Sequence, residues 1–136
     1  MNIGDVLYFH DFGFDDGGHA NKLLVVLSDP ANGSMVMVIA TSKGTSKDIG
    51  CQPKNKRFFI RAGTYEFPKD TWLDLYRNPI IRDTTQTQAA IASGGVQTKG
   101  TLPAQLVNEI KNCLTKHSPD SLTREACRLL GVTPKW

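Results

Sequence analysis

The chain has 136 residues, 40% hydrophobic and 21% charged, which suits one globular domain with a real core and no low-complexity tract. Sixteen Lys and Arg against 13 Asp and Glu leave a net +3, which permits nucleic-acid contact without requiring it. No run approaches the roughly 20 apolar residues of a membrane span, and MNIGDVLYFHDF lacks the basic-then-apolar order of an export signal. A cytoplasmic protein with no membrane partner is expected.

In chain order, the first 42 residues read as strands. DVLYFHDF puts Val6, Tyr8 and His10 on one face and Leu7 and Phe9 on the other; KLLVVLS is almost continuously apolar; SMVMVIATS is rich in Val and Ile. The separators DDGGHAN and DPANGS carry the Gly, Asn, Asp and Pro that favour turns. These features predict a three-stranded antiparallel meander. The lysine-rich stretch from Lys43 to Arg57 then reads as a mobile loop, and RFFIRAG and TWLDLYR resume the strand pattern across TYEFPKD.

NPIIRDTTQTQAAIASGGVQTKG mixes Thr-rich strand material with a Gly pair and shows no clean period. TLPAQLVNEIKNCLTKH is helical in pattern, with Leu102, Leu106, Ile110, Cys113 and Leu114 at spacings of three and four. Thr101 is placed to cap it and Pro103 falls in its first turn. SPDSLTREACRLLG repeats the arrangement with Ser118 as the expected cap and Gly131 as the stop. Strands first and helices last indicate α+β. Cys51, Cys113 and Cys127 are an odd number at wide spacing and are expected as free thiols in a reducing cytosol. The histidines are isolated and the cysteines lack partners at ligand spacing, so neither a metal nor another cofactor is expected.

A strand opening GDV, a Gly-rich hairpin tip, a K-x-LVVLS-D strand and a third strand ending in Thr-Ser together resemble the MazF/PemK/Kid family of toxin components. YEFPKDTWLDL and KGTLPAQLVNEIKNCL extend the likeness over residues 3 to 114. The resemblance implies a small SH3-like antiparallel β-barrel with C-terminal helices. Residues 1–116 would form the barrel domain with its helix, and 117–136 an additional helix packed on the barrel or at an interface. It further implies a metal-independent endoribonuclease of a type II toxin-antitoxin system, with single-stranded RNA as substrate, a cognate antitoxin as partner, and a homodimer.

Transferred by position, the family's Arg-Pro at the start of the second strand falls on Lys22-Leu23, a departure, while its Thr or Ser at the end of the third falls on Thr41 or Ser42. His19 is the nearest counterpart of the Kid-branch hairpin histidine, and His10 is the second. Arg77, Arg82 and Asp83 lie in about the right part of the chain for that branch's later Arg and Asp.

Metal-free RNA cleavage uses the ribose 2′-hydroxyl as nucleophile. The protein must supply a base, an acid for the leaving 5′-oxygen, and positive charge for the phosphorane. His19 can exchange a proton near neutral pH, Lys22 can supply the cation, and the Thr41 and Ser42 hydroxyls can bind phosphate. Lysine lacks arginine's planar fork, which lends weight to a second reading: a catalytically degenerate barrel that only binds protein or nucleic acid. Asp15 and Asp16, beside His19, repel phosphate unless they poise the base. Lys43, Lys47, Lys54, Lys56 and Arg57 form a candidate RNA-tracking loop, with Phe58, Phe59 or Tyr65 available to stack a base if they are not core. SLTREACRLLGV also resembles the first helix of a helix-turn-helix module. With the sequence ending at Trp136 it is expected to pack on the barrel rather than read DNA.

Overall fold

The computed structural model describes residues 1–14, 16–65, 67–77 and 79–133. Asp15, one of the two acids flanking the hairpin histidine, and residues 134–136, where a second helix of a DNA-reading module would begin, lie outside them. The predicted meander is β1 (Asp5–Gly13), β2 (His19–Val26) and β3 (Ser34–Thr41). Strands β4 (Gly50–Gln52), β5 (Arg57–Ile60) and β6 (Thr71–Asp74) follow, then β7 (Ile80–Asp83), α1 (Thr84–Ser93) and β8 (Val96–Thr101). The described chain closes with α2 (Ala104–His117) and α3 (Arg124–Leu130). All strands join one antiparallel sheet in the order β4-β5-β6-β3-β2-β1-β8, with β7 also paired to β3. The architecture is α+β and barrel-like, as expected.

Alternation along the meander feeds two cores. Val6, Val25, Val38 and Leu73 join one cluster with α2 and α3; Leu7, Leu24, Met37 and Ile39 join the other, against which Ala90 and Ile91 of α1 pack. Leu122, Ala126, Leu129 and Leu130 belong to the first cluster, so the last helix shares the barrel's own core. Among the described residues, no helix is long and apolar enough to cross a membrane.

Several local expectations are corrected. Thr101 does not cap α2: it lies in β8, and its hydroxyl donates to the Asp5 carboxylate at 2.6 Å, while Pro103 occupies the cap position. Ser118 makes no capping bond either, because a 3-10 turn at Pro119–Ser121 intervenes and Thr123 caps α3 by accepting from the Ala126 N–H at 3.1 Å. Phe58 and Phe59, by contrast, are core as the apolar strand pattern of RFFIRAG expects, at 2% exposure, so neither can stack a base. The irregular stretch after residue 78 resolves into a strand, a helix and a strand. Asp83 starts α1 by accepting from the Gln86 N–H, and Gly94 ends it in the left-handed region.

Two corrections bear on the candidate site. Cys51 and Cys113 are joined in a disulfide with Cα atoms 5.6 Å apart, and only the buried Cys127 is a thiol, so the cysteine argument for a reducing compartment falls away. The stretch from Lys43 to Arg57 is not a bare loop. It contains β4, and Gln52 holds it by donating to the carbonyls of Ser46 (3.0 Å) and Asp48 (2.8 Å) while accepting from Asn55.

Candidate functional site

The site lies at the end of the sheet where β2, β3, β5 and β6 run side by side. Leu23 pairs with Ala40, Thr41 with Trp72, and Arg57 with Asp74. Strand alternation therefore turns Lys22, Thr41, Trp72, Asp74 and Arg57 to the same side as Leu24 and Ile39. Lys22, Thr41, Ser42 and Lys43 also border a cleft of about 360 Å³ at the strand ends, whose walls Tyr8, Leu23, Ala40 and Thr71 belong to the opposite face. The structure thus brings together two of the three expected catalytic residues and two of the six expected RNA contacts.

His19 is not in that cleft. It opens β2 opposite Gly13, three residues before Lys22 and so about 10 Å along the strand, with its Nδ1 3.4 Å from an Asp11 carboxylate oxygen. A register shift between Phe9 and Phe12, with Asp11 at φ 58, separates this end of the hairpin from the regular pairing. His10 stays on the Tyr8 face as an edge-on ring partner at 4.7 Å.

The expected RNA-tracking loop is divided. Lys47 is paired with Asp70 at 3.0 Å; Lys54 and Lys56 lie in the turn after β4; Arg57 is drawn inward. Arg57 Nε lies 2.9 Å from Asp74 Oδ1, and its Nη1 donates to the Lys43 carbonyl. That buried Asp74 oxygen has no aligned hydrogen-bond donor among the described residues despite the short ionic contact. Burial pushes the Asp74 carboxyl above its ordinary value, against the opposing pull of Arg57, Arg77 and Lys22.

The Arg57–Asp74 pair is what sequence reasoning missed. In the sequence Asp74 stands out only as part of a strand and Arg57 only as one basic residue among several. Cross-strand register is not visible in either segment alone; the available signal was one charged residue in each of two otherwise uncharged strands, RFFI and TWLD. Arg82 and Asp83, candidates for this role by position, serve elsewhere: Arg82 stacks over Phe12 at 4.9 Å, and Asp83 caps α1.

Above the pair, Tyr76 lies beneath two guanidinium groups, Arg57 at 5.6 Å and Arg77 at 5.4 Å from its ring centre, and is 43% exposed. Trp72 donates from its indole N–H to the Ser46 carbonyl at 2.7 Å. Gly44 packs so closely on the Trp72 ring that an added Cβ would come within 2.3 Å of it. Arg57, Trp72 and Tyr76 line a second, polar hollow of about 240 Å³.

No family model and no curated protein sequence matches the chain. Solved structures do. In the form II crystal of MazE-MazF from Deinococcus radiodurans, one chain superimposes with a TM-score of 0.56 at 16% identity, over 85% of this chain and 93% of that one. In the form III crystal the TM-score is 0.54 at 16% identity, over 98% of both chains. With the strand order and helices described above, this likeness identifies the chain's architecture as a MazF-like fold.

Proposed function

We propose that the protein is a toxin-type, metal-independent endoribonuclease that cuts single-stranded RNA in the cytoplasm and is neutralised by a cognate antitoxin. The observation that carries this reading is the convergence on one sheet face, by strand register, of Lys22, Thr41 and the inward-drawn Arg57–Asp74 pair, with Tyr76 and a basic rim beside them. A carboxyl held above its ordinary value by burial, yet flanked by three cations, is suited to taking and returning a proton.

In the proposed reaction the ribose 2′-hydroxyl gives its proton to Asp74 as its oxygen attacks phosphorus. Arg57 and Lys22 offset the growing negative charge, with Thr41 and Ser42 donating to the phosphoryl oxygens. The bond to the 5′-oxygen breaks as Lys22 passes a proton to it. The products are a 2′,3′-cyclic phosphate and a 5′-hydroxyl; Asp74 then gives its proton to solvent and solvent returns one to Lys22. His19 contacts substrate beyond this centre, Ser42 and Lys43 hold the backbone next to it, and Lys47, Lys54 and Lys56 extend the positive rim.

The likeness to chains crystallised as MazE-MazF complexes supports an antitoxin partner, and family resemblance supports a homodimer. The test is to induce wild type, Lys22→Ala, Thr41→Ala and Asp74→Asn in cells and map new RNA ends. Wild type should arrest growth and create cuts while Lys22→Ala and Asp74→Asn do not. A wild type that binds RNA without cutting it would leave the degenerate binding module as the better account.

A further inference from the structure

The Cys51–Cys113 bond ties the sheet's edge strand to a helix, and both ends touch the candidate site's frame. Strand β4 is three residues long and stands last in the sheet order, with β5 as its one strand partner. Cys51 immediately precedes Gln52, whose side chain organises the turn that seats Ser46 on Trp72. Cys113 is on α2, which is buried through Ile110 and Leu114, and its Sγ lies 3.9 Å from the Arg57 carbonyl oxygen. One covalent bond therefore adds to a short ladder, the packing of Cys51 on the core, the Lys47–Asp70 pair and a few side-chain hydrogen bonds in anchoring this segment.

The bond is also reachable. Cys51 is half-buried, and it opens on a cleft of about 340 Å³ lined by Phe58, Glu109, Asn112, Lys116 and His117. Lys116 offers positive charge to an incoming anionic thiolate, opposed by Glu109. We propose that Cys51–Cys113 is a thiol-exchange site for a small thiol of the glutathione class, and that its reduction loosens the rim from Lys43 to Arg57 and slows the reaction at Asp74. The second half rests on the RNA-cleaving reading above; the exchange does not.

The steps balance. A thiolate attacks the Cys51 sulfur, forming a mixed disulfide and releasing Cys113 as thiolate. A second thiolate attacks the external sulfur, releasing the small-molecule disulfide and the Cys51 thiolate. Both protein thiolates take protons from solvent, and the two electrons come from the two small thiols. Once the bond is open, β4 and the Gln52 turn lose their covalent tie to α2 and keep the β5 ladder and the contacts of Ser46, Lys47 and Lys43 with Trp72, Asp70 and Arg57, so the rim is held by weaker, separable contacts and Arg57 loses part of its support from that side.

The experiment uses the full chain before and after equilibration with reduced glutathione. Alkylation after denaturation should label one cysteine in the oxidised protein and three in the reduced one. Tryptic cleavage after Lys43, Lys47, Lys54 and Lys56 should rise about tenfold on reduction while helical circular dichroism is kept. RNA cleavage should slow by about tenfold or more, because the cation at the reacting phosphate is misplaced. Cys51→Ser and Cys113→Ser should behave as the reduced protein in air, and Cys127→Ser should still respond to thiol.

Three labelled cysteines even after treatment with oxidised glutathione would remove the site, and unchanged tryptic resistance on reduction would remove the switch. Collapse of the whole fold on reduction would also overturn a local device. A loosened rim with equal RNA cleavage in both states would overturn the regulatory half. A loosened rim with RNA cut in neither state would count against the RNA-cleaving reading and leave the exchange site standing.

Discussion

The three-stranded meander and the rim from Lys43 to Arg57 are built on opposite principles. The meander is held by continuous backbone ladders with Val25, Leu24 and Met37 fully buried on its two faces, so its stability is spread over many small contacts. The rim is held at points: one disulfide, the Gln52 amide, the Trp72 N–H, and Arg57 on Asp74. Damage to the first should unfold the protein. Damage to the second should spare the fold and remove function, which is how a site can be tuned without risking its scaffold.

The sharpest form of this contrast is a pair of substitutions. Leu24→Ala, at a fully buried position, should cost about 3 kcal/mol of stability and lower the melting temperature visibly in a thermal scan. Asp74→Asn should lower RNA cleavage by about a hundredfold or more with little loss of melting temperature. Equal thermal losses in the two variants would erase the distinction between scaffold and rim.

Asp74 makes the pH dependence specific. Its folded carboxyl titrates above the ordinary 3.8, so the folded state binds the proton more tightly than the unfolded chain. Its contribution to stability is therefore largest at pH values below 3.8 and declines as pH rises through the interval up to the elevated folded value. Acting as a base, it should give a cleavage rate that climbs with pH through that same elevated value. Asp74→Asn should remove the limb along with the activity, and a limb that survives in the residual rate would assign it to another group.

Smaller effects follow on the rim itself. Gly44→Ala forces a carbon against the Trp72 ring, so the segment must lift; cleavage should fall about tenfold with the scaffold intact, read as a changed Trp72 fluorescence alongside an unchanged helical signal. His19→Ala should do least, changing the cleavage rate by less than about threefold, because the imidazole is exposed and about three strand residues from Lys22. A large loss at His19 would mean that the reacting phosphate sits nearer the hairpin tip than Lys22 and Asp74.

Legibility in the sequence follows the same division. The meander was readable because alternation and apolar runs report which face of a strand is buried, and Gly-rich separators report the turns. The last two helices were readable from their stripes, though not their caps: Thr101 was already engaged by Asp5, and Pro119 opened a separate turn before α3. Lys22 and Thr41 were legible because the first opens the apolar run KLLVVLS and the second closes the strand SMVMVIAT. The Arg57–Asp74 pair and the Cys51–Cys113 bond were not, since both are set by which distant segments lie side by side, and neither residue type nor local period carries that information.

The central claim is that a ribose 2′-hydroxyl, activated beside Asp74 and Lys22, is the nucleophile. Its most direct test takes purified wild type, a short single-stranded RNA containing a mapped cut site, and the same strand with one 2′-deoxy nucleotide at the 5′ side of the scissile bond. The first strand should yield a 2′,3′-cyclic phosphate, in the presence of a chelator, and the second no cut at that bond. Cleavage of the deoxy-substituted bond at a comparable rate would contradict the claim.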